Sequence, residues 1–467
     1  MKEKPQGMKT FFIIWIGQLA SMIGSELIGF ALAVWIFEQT GQATPFALTA
    51  LFSTLPRILL SPLAGALTDR WNRKKIMVIS DSLSGVITLA VALMLLNGSM
   101  QVWLVYLFSF LGSIFAAFQQ PAYSASIVML VPKDQLTRAN SMVQLGQAIE
   151  SVLTPLLAGV LFGLIGMQGI IIIDLITYFF AIGVLLLIHI PQPQKSEFGI
   201  MEKLTVIKDI QFGWRFLKDR AGLLGLLFYF AGVNFLANIS AVMVGPLVLS
   251  FSSVASMGFA QTMMGLGMLT GSLIMSVWGG PKKNRIPMVI GAISLAALGF
   301  IIAGLQPSMV YISTGLFILL FFIPFGSGPS SALFASKVPP SLQGRVFATR
   351  SMISQSMMPL AFILSGVMAD NVFSPLLVEG GALADTFVGE IIGVGPGRGI
   401  GLMLICGGLL MLFISGLAYA NPRIRRIEAD IPDAVPDQQE EAEAALPVDH
   451  KPMGSSVTGK SFKPSSE

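Results

Sequence analysis

Long apolar runs separated by short polar turns fill the chain from Phe11 to about residue 420. Crossing a bilayer as a helix takes about 20 predominantly apolar residues. On that measure the pattern predicts spans near 11–37, 46–67, 76–96, 101–121, 142–165, 168–190, 222–250, 254–279, 287–306, 308–330, 348–369 and 399–420. The alternation breaks twice. Residues 191–221 are polar and basic, with Lys195, Lys203, Lys208, Arg215, Lys218 and Arg220. Within them Ile207, Ile210, Trp214 and Leu217 fall at i, i+3, i+7 and i+10, which predicts an amphipathic helix lying on the membrane surface. From about Asn421 the chain turns polar, with RIRR at 423–426 followed by an acidic run, and a disordered tail is expected. The organisation is therefore an N-terminal six-helix bundle (1–190), a linker (191–221), a C-terminal six-helix bundle (222–420) and a tail (421–467).

Composition agrees with an all-α integral membrane protein. Of 467 residues 54% are hydrophobic and 12% charged, against about 25% charged in soluble domains; the mean hydropathy is +0.76. Cys406 is the single cysteine, and His189 and His450 lie far apart, which excludes disulfide frameworks and His/Cys metal sites. The basic start MKEKPQGMKT precedes an apolar run too long for a signal-peptide core, so it is expected to remain as the first span. Of the 29 Lys and Arg, all but Arg57 and Arg398 fall on the side of the N-terminus or at span ends on that side. The positive-inside rule then places both termini in the cytoplasm. The loop from Asp370 to Gly397 carries Asp370, Glu379, Asp385 and Glu390 and no Lys or Arg before Arg398, as an outer loop should. With no transit peptide visible, a bacterial cytoplasmic membrane is the expected location.

The tail contains GSSVTGKS, Gly454 to Ser461, which satisfies the phosphate-loop pattern G-x-x-x-x-G-K-[ST]. That loop works only between a strand and a helix. Here a Pro-rich charged segment precedes it and six residues follow, so no ATP chemistry is assigned and no enzyme activity is expected.

The two halves echo each other. VPKDQLTR (Val131–Arg138) enters span 5 and VPPSLQGR (Val338–Arg345) enters span 11, with Val-Pro and Arg in register. Pro121 and Pro329 sit near matching ends of spans 4 and 10. Two repeated six-helix bundles are the architecture of transporters that rock about a central site. Gly65-x-Leu67-x-Asp69-Arg70-x-x-Arg73-Lys74 resembles the loop signature of the major facilitator superfamily, with Asn72 in place of its second glycine, a residue that tolerates a left-handed turn. TPLLAG, Thr154 to Gly159, resembles the antiporter signature of span 5, with Thr154 and Ala158 where glycines stand, and GPGRGIGL opens span 12. Together these resemble the macrolide-efflux type of drug/proton antiporter. The resemblance implies a major facilitator fold in which Gly65, Asp69, Arg70, Arg73 and Lys74 form an inner-gate loop latching onto the start of span 11.

Ionisable groups inside a membrane are costly, about 2.5 to 3.5 kcal/mol each on insertion scales. Spans 7–12 carry none clear of their ends, whereas the first half has Glu26, Arg57 and Glu150, with Asp81 and Asp174 nearer span ends and read as structural or gate groups. Glu26 lies roughly 22 Å, and Arg57 and Glu150 roughly 12 to 15 Å, from the inner ends of their spans. Gln18, Ser21, Ser25 and Glu26 make one polar stripe, Ser53, Arg57 and Ser61 a second, Gln147, Glu150 and Thr154 a third. Three stripes imply one wet cavity, in which Glu26 or Glu150, its proton affinity set by desolvation and Arg57, exchanges a proton against substrate. A permanent ion pair to Arg57 is the competing structural reading.

The second half offers Asn234, Asn238, Gln261 and Gln355 as neutral polar lining, among Met243, Met263, Met264, Met268, Met357 and Met358, a soft wall for varied ligands. The expectation is a monomeric, proton-driven exporter of hydrophobic or amphipathic molecules, cations included, with no cofactor, no nucleic-acid partner and the bilayer as its surroundings. The rivals are an exporter of a siderophore or lipid-like metabolite, an uncoupled facilitator, and a membrane sensor or scaffold.

Overall fold

The computed structural model describes residues 7–68, 71–188, 190, 203–281 and 283–434. All regular structure among them is helical. In the first half these are α1 (Met8–Thr40), α2 (Ala43–Thr68), α3 (Arg73–Leu96), α4 (Val102–Leu130) and α5 (Leu136–Leu187); α6 (Lys203–Lys218) follows as the connecting helix. The second half has α7 (Ala221–Val242), α8 (Val244–Leu249), α9 (Val254–Trp278), α10 (Arg285–Leu305), α11 (Met309–Lys337), α12 (Gln343–Ser356) and α13 (Met358–Met368). After a π turn come the short α14 (Ser374–Leu376) and α15 (Phe387–Ile392), then α16 (Arg398–Ala420), α17 (Pro422–Arg425) and α18 (Ile427–Asp430).

Eleven of the described segments are long and apolar enough to cross a membrane. One of them, α5, is 52 residues long and holds two crossings, because Gly166 (φ 63, ψ −173) breaks it. The Trp15 indole donates to Met142 O at 3.0 Å while Gly17 faces Val184, so residues 142 and 184 lie at one depth and the chain doubles back at Gly166. That gives twelve crossings in two six-helix halves. Two other interruptions, at Met243 and Met357, precede Pro246 and Pro359. A proline has no N–H for the carbonyl four residues back, which opens the helix at that point.

Helix pairing repeats between the halves. In the first, α2 packs on α4, and α3 on α4 and α5; in the second, α9 packs on α11, and α10 on α11 and α16. The cores differ. The second half has one continuous apolar cluster. The first has two, one around Leu27, Val91 and Ile170 and one around Phe11, Met77 and Leu130. Between them lies a polar belt: the buried Gln18 and half-buried Gln119 carboxamides both donate to the buried Asp81, at 3.2 and 2.9 Å, and Ser25 Oγ meets Tyr178 Oη at 2.8 Å.

Two boundaries differ from the sequence expectation. The segment from Asn421 is ordered as far as Ala434: Ile424 and Ile427 are buried against α7, and Lys337 donates to Glu428 O (3.0 Å) and Ile431 O (2.5 Å) and pairs with Asp433 (3.1 Å). Its charges hid an apolar face only two residues strong. The remainder of the predicted tail, 435–467, with GSSVTGKS, lies outside the described residues. Helix α6 forms where the amphipathic pattern puts it, but it docks on α7 and α12, with Phe216 and Leu217 in the core of the second half.

Candidate functional site

The two halves meet at one end of the bundle, the face opposite the N-terminus. There α5 and α9 touch backbone to backbone: a Cβ on Gly159 would lie 3.1 Å from Ala255 Cα, and one on Gly258 would strike Pro155 O. Thr262 Oγ1 also reaches Val152 O at 3.3 Å. Beside them the Asp370 carboxylate, just beyond α13, accepts from Ala43 N–H (2.9 Å), Thr44 N–H (2.7 Å) and Thr44 Oγ1 (2.6 Å). These are the first free amides of α2, so the acid caps a helix N-terminus across the half-to-half boundary. The hydrogen bonds that join the halves among the described residues gather at this end.

Beneath this closure lies a cavity of ≈ 690 Å³. It is lined by Ser25 and Glu26 from α1, Ser53 and Arg57 from α2, and Gln147, Glu150 and Thr154 from α5, with Ser84, Thr88 and Tyr178 behind them. The second half contributes Met257 and Gln261 from α9. Glu26 and Arg57 stand exposed to the cavity and Glu150 is half-buried. The three are near enough to feel one another's charge. Yet neither carboxylate comes within the 4.0 Å of an ion pair with Arg57. The permanent structural pair is not formed in this conformation. Two carboxylates and one guanidinium thus share one pocket, each available to water or to a guest.

Several expected lining residues lie elsewhere. Gln18 is buried in the Asp81 network, where its amide also accepts from Gln119 at 2.8 Å. Asn234 donates to Ser354 Oγ (2.6 Å), Asn238 to the carbonyl of Asn234 (2.7 Å), and Gln355 to Ser351 (2.9 Å); none is among the residues around the cavity. The predicted methionine wall is absent from the lining too: Met243 is in the core, Met268 and Met357 are exposed, and the methionine that does line the cavity is Met257. A helical stripe specifies a face without saying which neighbour covers it.

In the basic loop, Asp69 and Arg70 lie outside the described residues. Gly65 has open space about it. Arg73 Nη1 donates to Ala125 O (2.9 Å), and Lys74 Nζ donates to Leu186 O (3.0 Å) and Ile188 O (2.7 Å), so both tie down neighbours within their own half. Lys74 thereby sits on the carboxyl end of α5, where the helix dipole favours a cation. Asn72 is extended (φ −66, ψ 112) rather than left-handed, and it N-caps α3 by accepting from Lys75 N–H at 3.0 Å. Sequence reasoning also passed over Asp370, whose partners are mainly backbone amides, and Gln119.

A profile of the Major Facilitator Superfamily matches residues 14–362. The chain belongs to that superfamily. It is a multi-pass membrane transporter and no enzyme. Macrolide efflux protein A of Streptococcus pyogenes is 29% identical over 376 residues, 78% of this chain and 90% of the relative. The protein of the same description from Enterococcus faecalis is 28% identical over 325 residues, 67% and 97% of the two chains. An enterobactin exporter of Citrobacter koseri is 22% identical over 431 residues, 91% and 96%. Among solved structures, a bacterial homologue of the human lysosomal transporter Spinster, inward-facing and unoccupied, superposes with a TM-score of 0.64 at 15% identity, covering 92% of this chain and 99% of that one. That likeness establishes the fold of this superfamily member.

Proposed function

We propose that this superfamily member exports hydrophobic or amphipathic small molecules in exchange for protons, by alternating access. The carrying observation is the unpaired trio Glu26, Arg57 and Glu150 around a single cavity that is closed at one end. Carboxylates held in a pocket without a fixed counter-ion are free to take a proton or a substrate cation in turn, and competition for the same charge is what couples the two fluxes. With the basic face in the cytoplasm, as the positive-inside rule directs, the cavity faces inward. Substrate enters it from the cytoplasm or inner leaflet, and Asp370 with the α5–α9 contact is the outer gate. The efflux relatives support the direction of transport, and the protein acts as a monomer in a bacterial inner membrane without ATP.

The test is accumulation of a fluorescent lipophilic cation in energised inverted vesicles by the parent, Glu26→Gln and Glu150→Gln, with and without a proton gradient. Gradient-dependent uptake abolished by at least one substitution is expected. Uptake indifferent to the gradient would replace exchange by facilitated diffusion. The enterobactin-exporter relative, matched over nearly its whole length, favours a second reading in which the cargo is a siderophore; a parent inert toward the cation but exporting such a compound would select it.

A further inference from the structure

One acid of the first half is not used by the trio. Asp174, on the second leg of α5, is 0% exposed. Its Oδ2 accepts from Thr88 Oγ1 at 2.7 Å, and its Oδ1 has no hydrogen-bond partner. The groups around it are few. From α1 come Gly24 and Ser25, with Glu26 turned to the cavity; from α3 come Thr88 and, farther along, Asp81; from its own helix come Thr177 and Tyr178. No Lys or Arg among the described residues bonds or pairs with it.

Asp81 shows how this protein settles a buried carboxylate, giving each oxygen an amide donor. Asp174 receives one neutral hydroxyl. A carboxylate so placed is expensive unless a cation joins it. Space decides which cation. A methyl on Gly24 would lie 2.7 Å from Oδ1 and would overlap Thr177 Oγ1, so α1 presses directly on the free oxygen. There is room for a hydrogen and none for the shell of several oxygens that a metal ion requires.

We propose that Asp174 is a proton-binding site of this transporter, filled and emptied from the central cavity through Thr88. Thr88 both lines the cavity and bonds Asp174. Its oxygen takes a proton from a hydronium in the cavity as its own hydroxyl proton passes to the carboxylate, which leaves a neutral water, Thr88 unchanged and Asp174 neutral; the reverse sequence empties the site by returning the proton to cavity water as hydronium. Asp174 then carries charge through the cycle alongside the cavity carboxylates, a role that rests on the proton-exchange reading.

Two readouts separate that role from a structural one. Infrared difference spectra of the reconstituted full-length protein, acid minus alkaline, are expected to contain a carboxylic-acid C=O band that Asp174→Asn removes. In the vesicle assay Asp174→Asn is expected to lower gradient-driven uptake of the lipophilic cation to the level left after the gradient is collapsed, while gradient-free substrate exchange persists. Thr88→Val should slow the driven uptake and Thr88→Ser restore it. An acid minus alkaline spectrum that Asp174→Asn leaves unchanged would overturn the proposal, as would driven uptake that depends on sodium through Asp174. A parent without gradient-driven uptake would remove the coupling role alone, and the spectra would still decide whether Asp174 binds a proton reversibly.

Discussion

At the scale of single residues, the charges within the two bundles divide into those that have fixed partners and those that do not. Arg398 belongs to the first kind: at 3% exposure its guanidinium donates to Ile392 O (2.7 Å), Gly304 O (2.8 Å) and Leu305 O (3.1 Å), tying α10 and α15 to the start of α16. Arg398→Gln should destabilise the protein by about 1 to 3 kcal/mol, the cost of buried groups left without partners, measured as a lower thermal midpoint in detergent with cavity ligands still bound by the fraction that is folded. Glu26, Arg57 and Glu150 belong to the second kind, and Arg57→Gln is expected to leave expression intact while altering the pH profile of transport, read in the same vesicles. Those three were legible in the sequence because an ionisable letter inside an apolar run is costly and therefore informative. Gln18, Asn234, Asn238 and Gln355 were not, because a neutral amide is satisfied as readily by a neighbouring helix as by a cavity. Asp370 was visible only as an acid in an outer loop, since a hydrogen bond to backbone amides leaves no complementary letter.

At the scale of elements, the joint between α5 and α9 holds the two halves together at one end. Gly258→Val would push a side chain into Pro155 O; overpacking of that kind costs about 1 to 3 kcal/mol and falls on the contact that closes the cavity at this end, the outer gate of the proposed cycle. The expected outcome is an outward-open bias, read as faster labelling of Ser53→Cys from the outside in a Cys406→Ser background. Asp370→Asn should act in the same direction: losing an N-cap costs about 1 to 2 kcal/mol, a shift of roughly 5- to 30-fold between states. An unchanged labelling rate in both variants would mean that neither contact gates the cavity. Span number and the α5 turn were readable from apolar length alone. The docking of α6 was not, because an amphipathic pattern is equally satisfied by lipid and by another helix.

At the scale of the whole molecule the repeat is geometric more than chemical: the same helix pairings enclose a polar-belted core in one half and an uninterrupted apolar core in the other. The folded segment 421–434 belongs to the second, with Glu428 accepting from Arg285 N–H at 2.9 Å and Lys337 holding it from α11. Truncation after residue 434 should leave transport and thermal stability at parental values, whereas truncation after residue 420 should lower both, because it strips Ile424 and Ile427 from α7. A scaffold signalling through its tail would instead fail at the shorter deletion. The cap that Asp370 places on α2 also has a genetic consequence. Its donors are two main-chain amides and one hydroxyl, so a charge swap at Ala43 or Thr44 has nothing to repair. Revertants selected from Asp370→Asn should therefore map to other surfaces, where they handicap the rival conformation and restore the balance.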